Sequence, residues 1–325
     1  MSTFRKFLLA GSVVVLSFQA IAKDQPKAEF VSTELSGGLY MVEGKGGFTG
    51  GNIALSVGDD GVVMIDDSMP PFLDLLKKKV KKLTKRDVDF LINTHAHGDH
   101  IGNNEAFAKD GVSIVGHKNM RKHLLKNGVK VKGQNVNAPK GALPVITFSN
   151  TMAFHLNDEE VHISHMPNAH TDGDAVIHFR KANVIHAGDI FFNNRFPFID
   201  VNSGGGVKGY ISAQKKIVAK SDSLTKIIPG HGALATRADL IRSVLMLEDV
   251  VSLIEPYIEA GKSEDDVVKA NPIAKYDALS WGFISTEKMI RQVYKSLTGH
   301  KAMKGEHKKG MKKKEAGHSH DDHSH

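Results

Sequence analysis

Short apolar runs separated by turn residues dominate the first part of the chain. Leu39–Val42, Asn52–Val57 and Val62–Ile65 read as strands, the last two joined by the hairpin turn Gly58-Asp59-Asp60-Gly61. Phe72–Leu83 places apolar residues at helical spacing and lysines on the opposite face. Val88–Ile92 reads as a buried strand that runs straight into Asn93-Thr94-His95, followed by a short helix from Ile101, a strand over Val112–Val115 and a helix over Lys118–Lys126. Asn127–Leu143 has no period and reads as a surface loop. Strand patterns return at Val145–Phe148, Met152–Leu156, Val161–His165, Ala175–Phe179 and Asn183–His186, then a helix over Gly209–Ala219 and a strand over Lys226–Ile228. Two or three helices follow, Arg237–Ala260 being the longest, with Pro256 placed to kink or end it. Strands and helices thus occur twice in similar order. That predicts an α/β (α+β) chain with two packed sheets and helices outside them.

The two ends depart from this pattern. Arg5 and Lys6 precede an apolar run over Phe7–Phe18, and Ala20-Ile21-Ala22 is a small-x-small cleavage site. This is the form of a secretory signal over residues 1–22, removed to leave a chain beginning near Lys23. The apolar run is short for a bilayer span, so the expectation is a periplasmic or secreted protein with no stable membrane anchor. Residues 299–325 are rich in Lys and His and read as a disordered tail after one domain over residues 23–298.

Charge and composition then narrow the chemistry. The formal charge is +7, yet the tail alone carries Lys301, Lys304, Lys308, Lys309, Lys312, Lys313 and Lys314. The body is close to neutral, which argues against a nucleic-acid partner and for a small-molecule substrate. The chain has no cysteine, so any metal site must use His, Asp or Glu.

The strongest chemical signal is His95-Ala96-His97-Gly98-Asp99-His100 at the carboxyl end of the Val88–Ile92 strand. In extended backbone His95 and His97 point to one side and can share an ion. The turn that follows, with Gly98 permitting a bend, lets Asp99 and His100 face a second. Further donors sit beside glycine near strand ends: His170 in Asn168-Ala169-His170-Thr171-Asp172-Gly173, Asp189 in His186-Ala187-Gly188-Asp189, and His231 in Pro229-Gly230-His231-Gly232.

This order of motifs, His-x-His-x-Asp-His, a lone His, Gly-Asp and Gly-His, resembles the metallo-β-lactamase superfamily over roughly residues 35–298. The resemblance implies a four-layer αβ/βα sandwich with the site at one edge of two mixed sheets. It implies that His95, His97 and His170 bind one metal, Asp99, His100 and His231 bind the second, and Asp189 bridges them. An Asp at the bridging position is similar to the glyoxalase II type of thioester hydrolase and to several lactone hydrolases, where the best-known zinc β-lactamases carry Cys or Ser. The lysine that many of those enzymes place shortly afterwards has no counterpart in Ile190–Asn194. The implied activity is that of a di-zinc hydrolase whose metal-bridging hydroxide attacks the carbonyl of a β-lactam, lactone, ester or thioester, with Asp99 orienting the nucleophile or passing on its proton. Iron and manganese suit the same donors. An iron-dependent oxidoreductase of the same fold and a non-catalytic metal-binding protein are the competing readings. The latter is suggested by His318, His320, His323 and His325 in the tail.

Other features have plainer expectations. Gly44–Gly51 precedes a strand rather than a helix, which excludes a phosphate loop and leaves a flap carrying Phe48, or a simple loop. Phe191, Phe192, Phe196 and Phe198 read as core or contact residues before substrate wall. Asn193, Asn194 and Arg195 are the polar groups nearest the expected site. His117, His155, His162, His165, His178 and His186 lack a glycine-flanked setting and read as structural.

Overall fold

The computed structural model describes residues 27–131 and 134–299; the expected signal over residues 1–22 and the tail beyond residue 299 lie outside it. The first half of the chain runs β1 (Glu29–Ser36), β2 (Leu39–Lys45), β3 (Ile53–Gly58), β4 (Gly61–Ile65), α1 (Leu73–Thr84), β5 (Phe90–Ile92), α2 (Gly98–Ile101), α3 (Asn104–Lys109), β6 (Ser113–His117), α4 (Lys118–Asn127), β7 (Val129–Val131), β8 (Gln134–Val136) and β9 (Ile146–Phe148). The second half runs β10 (Thr151–Leu156), β11 (Glu159–Met166), β12 (Asp174–Phe179), β13 (Val184–Phe192), α5 (Val207–Lys220), β14 (Lys226–His231), β15 (Ala235–Thr236), α6 (Arg237–Glu259) and α7 (Glu264–Ala270), followed by α8 over residues 286–299.

Two mixed sheets result. The first has the order β1-β2-β3-β4-β5-β6-β9 and the second β10-β11-β12-β13-β14-β15. Period-2 alternation decides how they stack. Met41, Ala54, Val63 and Ile65 of the first sheet meet Ile163, Ala175, Ile177 and Val184 of the second in one buried cluster. The intervening Val42, Ile53, Leu55 and Met64 turn outward onto Leu76 and Val80 of α1 and Phe107 of α3. On the far side, Val176, Ile185 and Ile190 meet Ala213 and Ile217 of α5 and Leu240 of α6. The order of layers is helix, sheet, sheet, helix, as expected. A further apolar cluster joins α6, α7 and α8 to Phe196 and Tyr210.

Several local expectations are corrected. β13 continues through Asp189 to Phe192, and β14 carries Pro229, Gly230 and His231, so two candidate ligands lie within strands rather than after them. The two strands stay paired in parallel from Val184↔Lys226 to Phe192↔His231 by absorbing register shifts on either side of Gly188, whose φ is +52°. β1 had no clear signal, because its burial pattern is mostly exposed or half-buried. The expected loop over Asn127–Leu143 contains the β7–β8 hairpin, which starts where Gly128 reverses the chain at φ +73°. Pro256 does not end α6, which runs on to Glu259. Pro256 and Ser252, whose carbonyl loses its partner there, both face solvent. Gly98 has no positive φ and opens α2; a Cβ there meets open space, so the motif needs no glycine-specific bend at that position.

Candidate metal centre

His95 follows the buried end of β5 after Asn93 and Thr94, and His97 is the residue before the first turn of α2. That turn presents Asp99 and His100 beside them. His170 comes from the β11–β12 connection, Asp189 from the middle of β13 and His231 from the last residue of β14. The structure brings all seven side chains together at one edge of the two sheets, in two groups: His95, His97, His170 and Asp189, and Asp99, His100 and His231.

Donor spacings test the fit to metal. A tetrahedral shell with bonds of about 2.0–2.1 Å sets neighbouring donors about 3.3–3.4 Å apart. In the first group Asp189 Oδ2 lies 3.7 Å from His95 Nε2 and 3.5 Å from His170 Nε2, and His170 Nε2 lies 2.9 Å from His97 Nδ1. In the second, Asp189 Oδ1 lies 3.1 Å from His100 Nε2 and 3.4 Å from His231 Nε2. Asp99 Oδ2 lies 3.6 Å and 3.2 Å from the same two nitrogens. The two oxygens of Asp189 therefore face different groups. His95 Nε2 and Asp189 Oδ1 are buried with no hydrogen-bond partner among the described residues, an arrangement that a shared cation satisfies.

The outward faces of the rings fix which nitrogen points in. His95 Nδ1–H donates to Thr94 Oγ1 at 3.0 Å, and that hydroxyl donates to Asp66 Oδ2 at 2.8 Å. His100 Nδ1–H donates to Asp66 Oδ2 at 2.7 Å, His97 Nε2–H to Asp200 Oδ2 at 3.1 Å, and His170 Nδ1–H to the Phe198 carbonyl at 2.8 Å. In each case the opposite nitrogen points toward the group, where it would offer its lone pair to a cation that displaces any proton on it. Asp66 and Asp200 had not been singled out in the sequence. Asp66 had a faint signal, a carboxylate just past a buried strand, but Asp200 had none.

The electrostatics are those of a cluster that calls for positive charge. Burial, joined by repulsion from His100, holds His95 well below the ordinary histidine range, and burial lowers His170 to about 4. Burial opposes protonation of His100 as well, but Asp189, Asp99 and Asp66 together raise it well above the usual range. His231, also buried, is raised to about 9 by Asp189 and Asp99. Asp189 is held far below the carboxylate range despite its burial, by His100, His231 and His95. Protons on the metal-free histidines thus compensate carboxylates that a pair of cations would compensate directly.

Backbone approaches the donors closely. A Cβ on Gly230 would lie 2.0 Å from Asp189 Oδ1, and one on Gly51 would lie 2.1 Å from His100 Cε1. The Gly44–Gly51 segment does lie over the centre. Its end is tied down by Gly51 N–H to the Asp99 carbonyl at 3.0 Å and Asn52 N–H to the Gly230 carbonyl at 2.8 Å. Phe48 stacks on His231 at 5.7 Å. Phe191 and Phe196 are core, as expected. Phe192 is buried too and stacks against His231 at 5.0 Å, while Phe198 stacks against His97 at 5.6 Å. Asn193 is turned away from the site, donating to the Ala233 carbonyl at 3.0 Å, and Asn194 is a turn residue with φ +55°. His186 stays outside the cluster: its Nε2–H donates to the Asn52 carbonyl and its Nδ1 accepts from Gly188 N–H, which shapes the bend before Asp189. His117 and His165 stack on each other at 3.7 Å, away from the seven donors.

Residues 46–231 match the family described as the metallo-beta-lactamase superfamily. Among characterised relatives, metallo-beta-lactamase IND-1 of Chryseobacterium indologenes is 22% identical over 67% of this chain and 89% of its own. A solved metallo-beta-lactamase from Pontibacter korlensis superposes with a TM-score of 0.57 at 17% identity, covering 68% of this chain and 99% of that one. A variant of the sec-alkyl sulfatase PisA1 superposes with a TM-score of 0.63 at 15% identity, covering 81% of this chain and 49% of that one.

Proposed function

The chain belongs to the metallo-beta-lactamase superfamily and is a metallo-hydrolase, and from that premise we propose an exported enzyme that holds two zinc ions and cleaves a β-lactam, lactone, ester or thioester. One observation carries the two-metal reading: the carboxylate of Asp189 is aimed with one oxygen at each of two donor groups. His95 Nε2, His97 Nδ1, His170 Nε2 and Asp189 Oδ2 would hold one ion, and Asp99, His100, His231 and Asp189 Oδ1 the other. Bound zinc supplies a water deprotonated near neutral pH and Lewis-acid polarisation of the scissile carbonyl. The rest is work for the chain itself. Asp66, Asp200, Thr94 and the Phe198 carbonyl lock the rings, so the donors need little reorganisation on binding. Asp99 is the most exposed carboxylate of the cluster and is placed to orient the attacking water and move its proton toward the leaving group. Phe192 and Phe198 exclude bulk water from the ligand rings. Export is supported by the Arg5–Ala22 pattern.

Metal analysis of the purified full chain, followed by hydrolysis of nitrocefin, a thioester and a homoserine lactone, tests this reading. Close to two zinc per chain and turnover of at least one substrate are expected, with His97→Ala abolishing all of it. Iron as the native metal would favour the oxidoreductase. Turnover retained by His97→Ala would show that the assayed reaction belongs to another site.

A further inference from the structure

The C-terminal segment contributes a wall to the metal centre from outside the stretch that defines the family. Trp281 and Phe283 lie between a 3-10 turn (Ala274–Leu279) and α8, some 50 residues past the last ligand. The indole ring sits 6.4 Å from the His231 ring and 6.1 Å from Phe192. Phe283 packs 5.7 Å from Trp281 and edge-on to Phe198 at 5.4 Å, and Phe198 stacks on His97. One arc of rings thus runs from a ligand of the second group to a ligand of the first.

The arc is held in place rather than merely collapsed there. Trp281 Nε1–H donates to the Phe196 carbonyl at 2.9 Å, and its backbone N–H to the Ile284 carbonyl at 3.0 Å. The Arg195 guanidinium lies over the indole at 5.1 Å, and Lys288 Nζ lies over Phe283 at 5.0 Å. Yet Phe283 remains 49% exposed, and Phe48, which stacks on His231 from the β2–β3 connection, is 56% exposed. Aromatic surface left in water beside a catalytic centre, on two separate segments, is surface that a substrate covers.

We propose that Trp281, supported by Phe283, determines specificity, and that the substrate carries a flat aromatic or branched apolar group beside the bond being cleaved. This deepens the hydrolase reading and rests on it. Arg195 acts on the indole, as a positioning residue.

The chain has a single tryptophan, so its emission reports on this wall directly. The zinc-loaded full chain is titrated with phenylacetate and with acetate, the carboxylates that hydrolysis of an arylacetyl or an acetyl substrate releases. Phenylacetate should change the emission saturably and bind about tenfold or more tightly than acetate, the scale of one aromatic contact. Trp281→Phe should keep most of that preference and Trp281→Ala should remove it, both read by competition against a chromogenic zinc ligand, with metal content unchanged. Equal affinity for the two acids, or an unmoved preference in Trp281→Ala, overturns the proposal. Because no turnover is needed, absence of hydrolysis across the substrate panel counts against the hydrolase reading and not against the wall.

Discussion

Asp66 shows how much of a metal centre rests on residues that touch no metal. Its carboxylate is fully buried and accepts from Thr94 N–H, Thr94 Oγ1–H and His100 Nδ1–H. It therefore fixes one ring directly and a second through the threonine hydroxyl. Asp66→Asn keeps the shape, and asparagine tolerates the residue's φ of +62°. It removes the charge that makes His100 a better donor. The expected result is a loss of about 10–100-fold in affinity for one of two zinc ions, read by competition with a chelator, with the fold intact by circular dichroism. Equal weakening of both ions would mean that Asp66 supports the whole cluster rather than His100.

At the scale of elements, the parallel pair β13–β14 does the positioning. It delivers Asp189 and His231 side by side only because Gly230 lets one strand pass against the carboxylate of the other. Gly230→Ala forces that carboxylate to move, and a displacement of about 1 Å at a catalytic group costs on the order of 100-fold in rate. The measurement is kcat against the best substrate of the panel, at saturating zinc; an unchanged rate would show that Asp189 has slack. The sequence made most strands legible, because β2–β6 and β11–β14 carry buried positions in period-2 or continuous apolar patterns and β10 alternates exposed with half-buried residues. It did not show that β13 and β14 extend through their ligands, because Gly188, Pro229 and Gly230 read locally as chain breakers and only pairing across the sheet overrides them. The β7–β8 hairpin was hidden for the opposite reason, since β8 is wholly exposed and so carries no burial pattern.

For the whole molecule, the seven candidate donors were legible and their neighbours were not. His95, His97, Asp99, His100, His170, Asp189 and His231 stand out as donor types beside glycine or at strand ends, and the structure gathers all of them. Asp200 is a lone carboxylate in a connection, and Trp281 and Phe283 lie in a short connection with no donor residue beside them. Each gains meaning only when α5–α8 pack Phe196 and Tyr210 against the second sheet and bring residues 196–200 and 281–283 to the same edge. A pair of cations at this edge, with Asp189 between them, has a signature in X-ray absorption of the zinc-loaded chain. The expected spectrum has a first shell of nitrogen and oxygen alone at about 2.0–2.2 Å with a metal–metal scattering path at about 3.5–4 Å, the latter lost in Asp189→Ala. A single zinc per chain, with no metal–metal path in the unaltered protein, would contradict it.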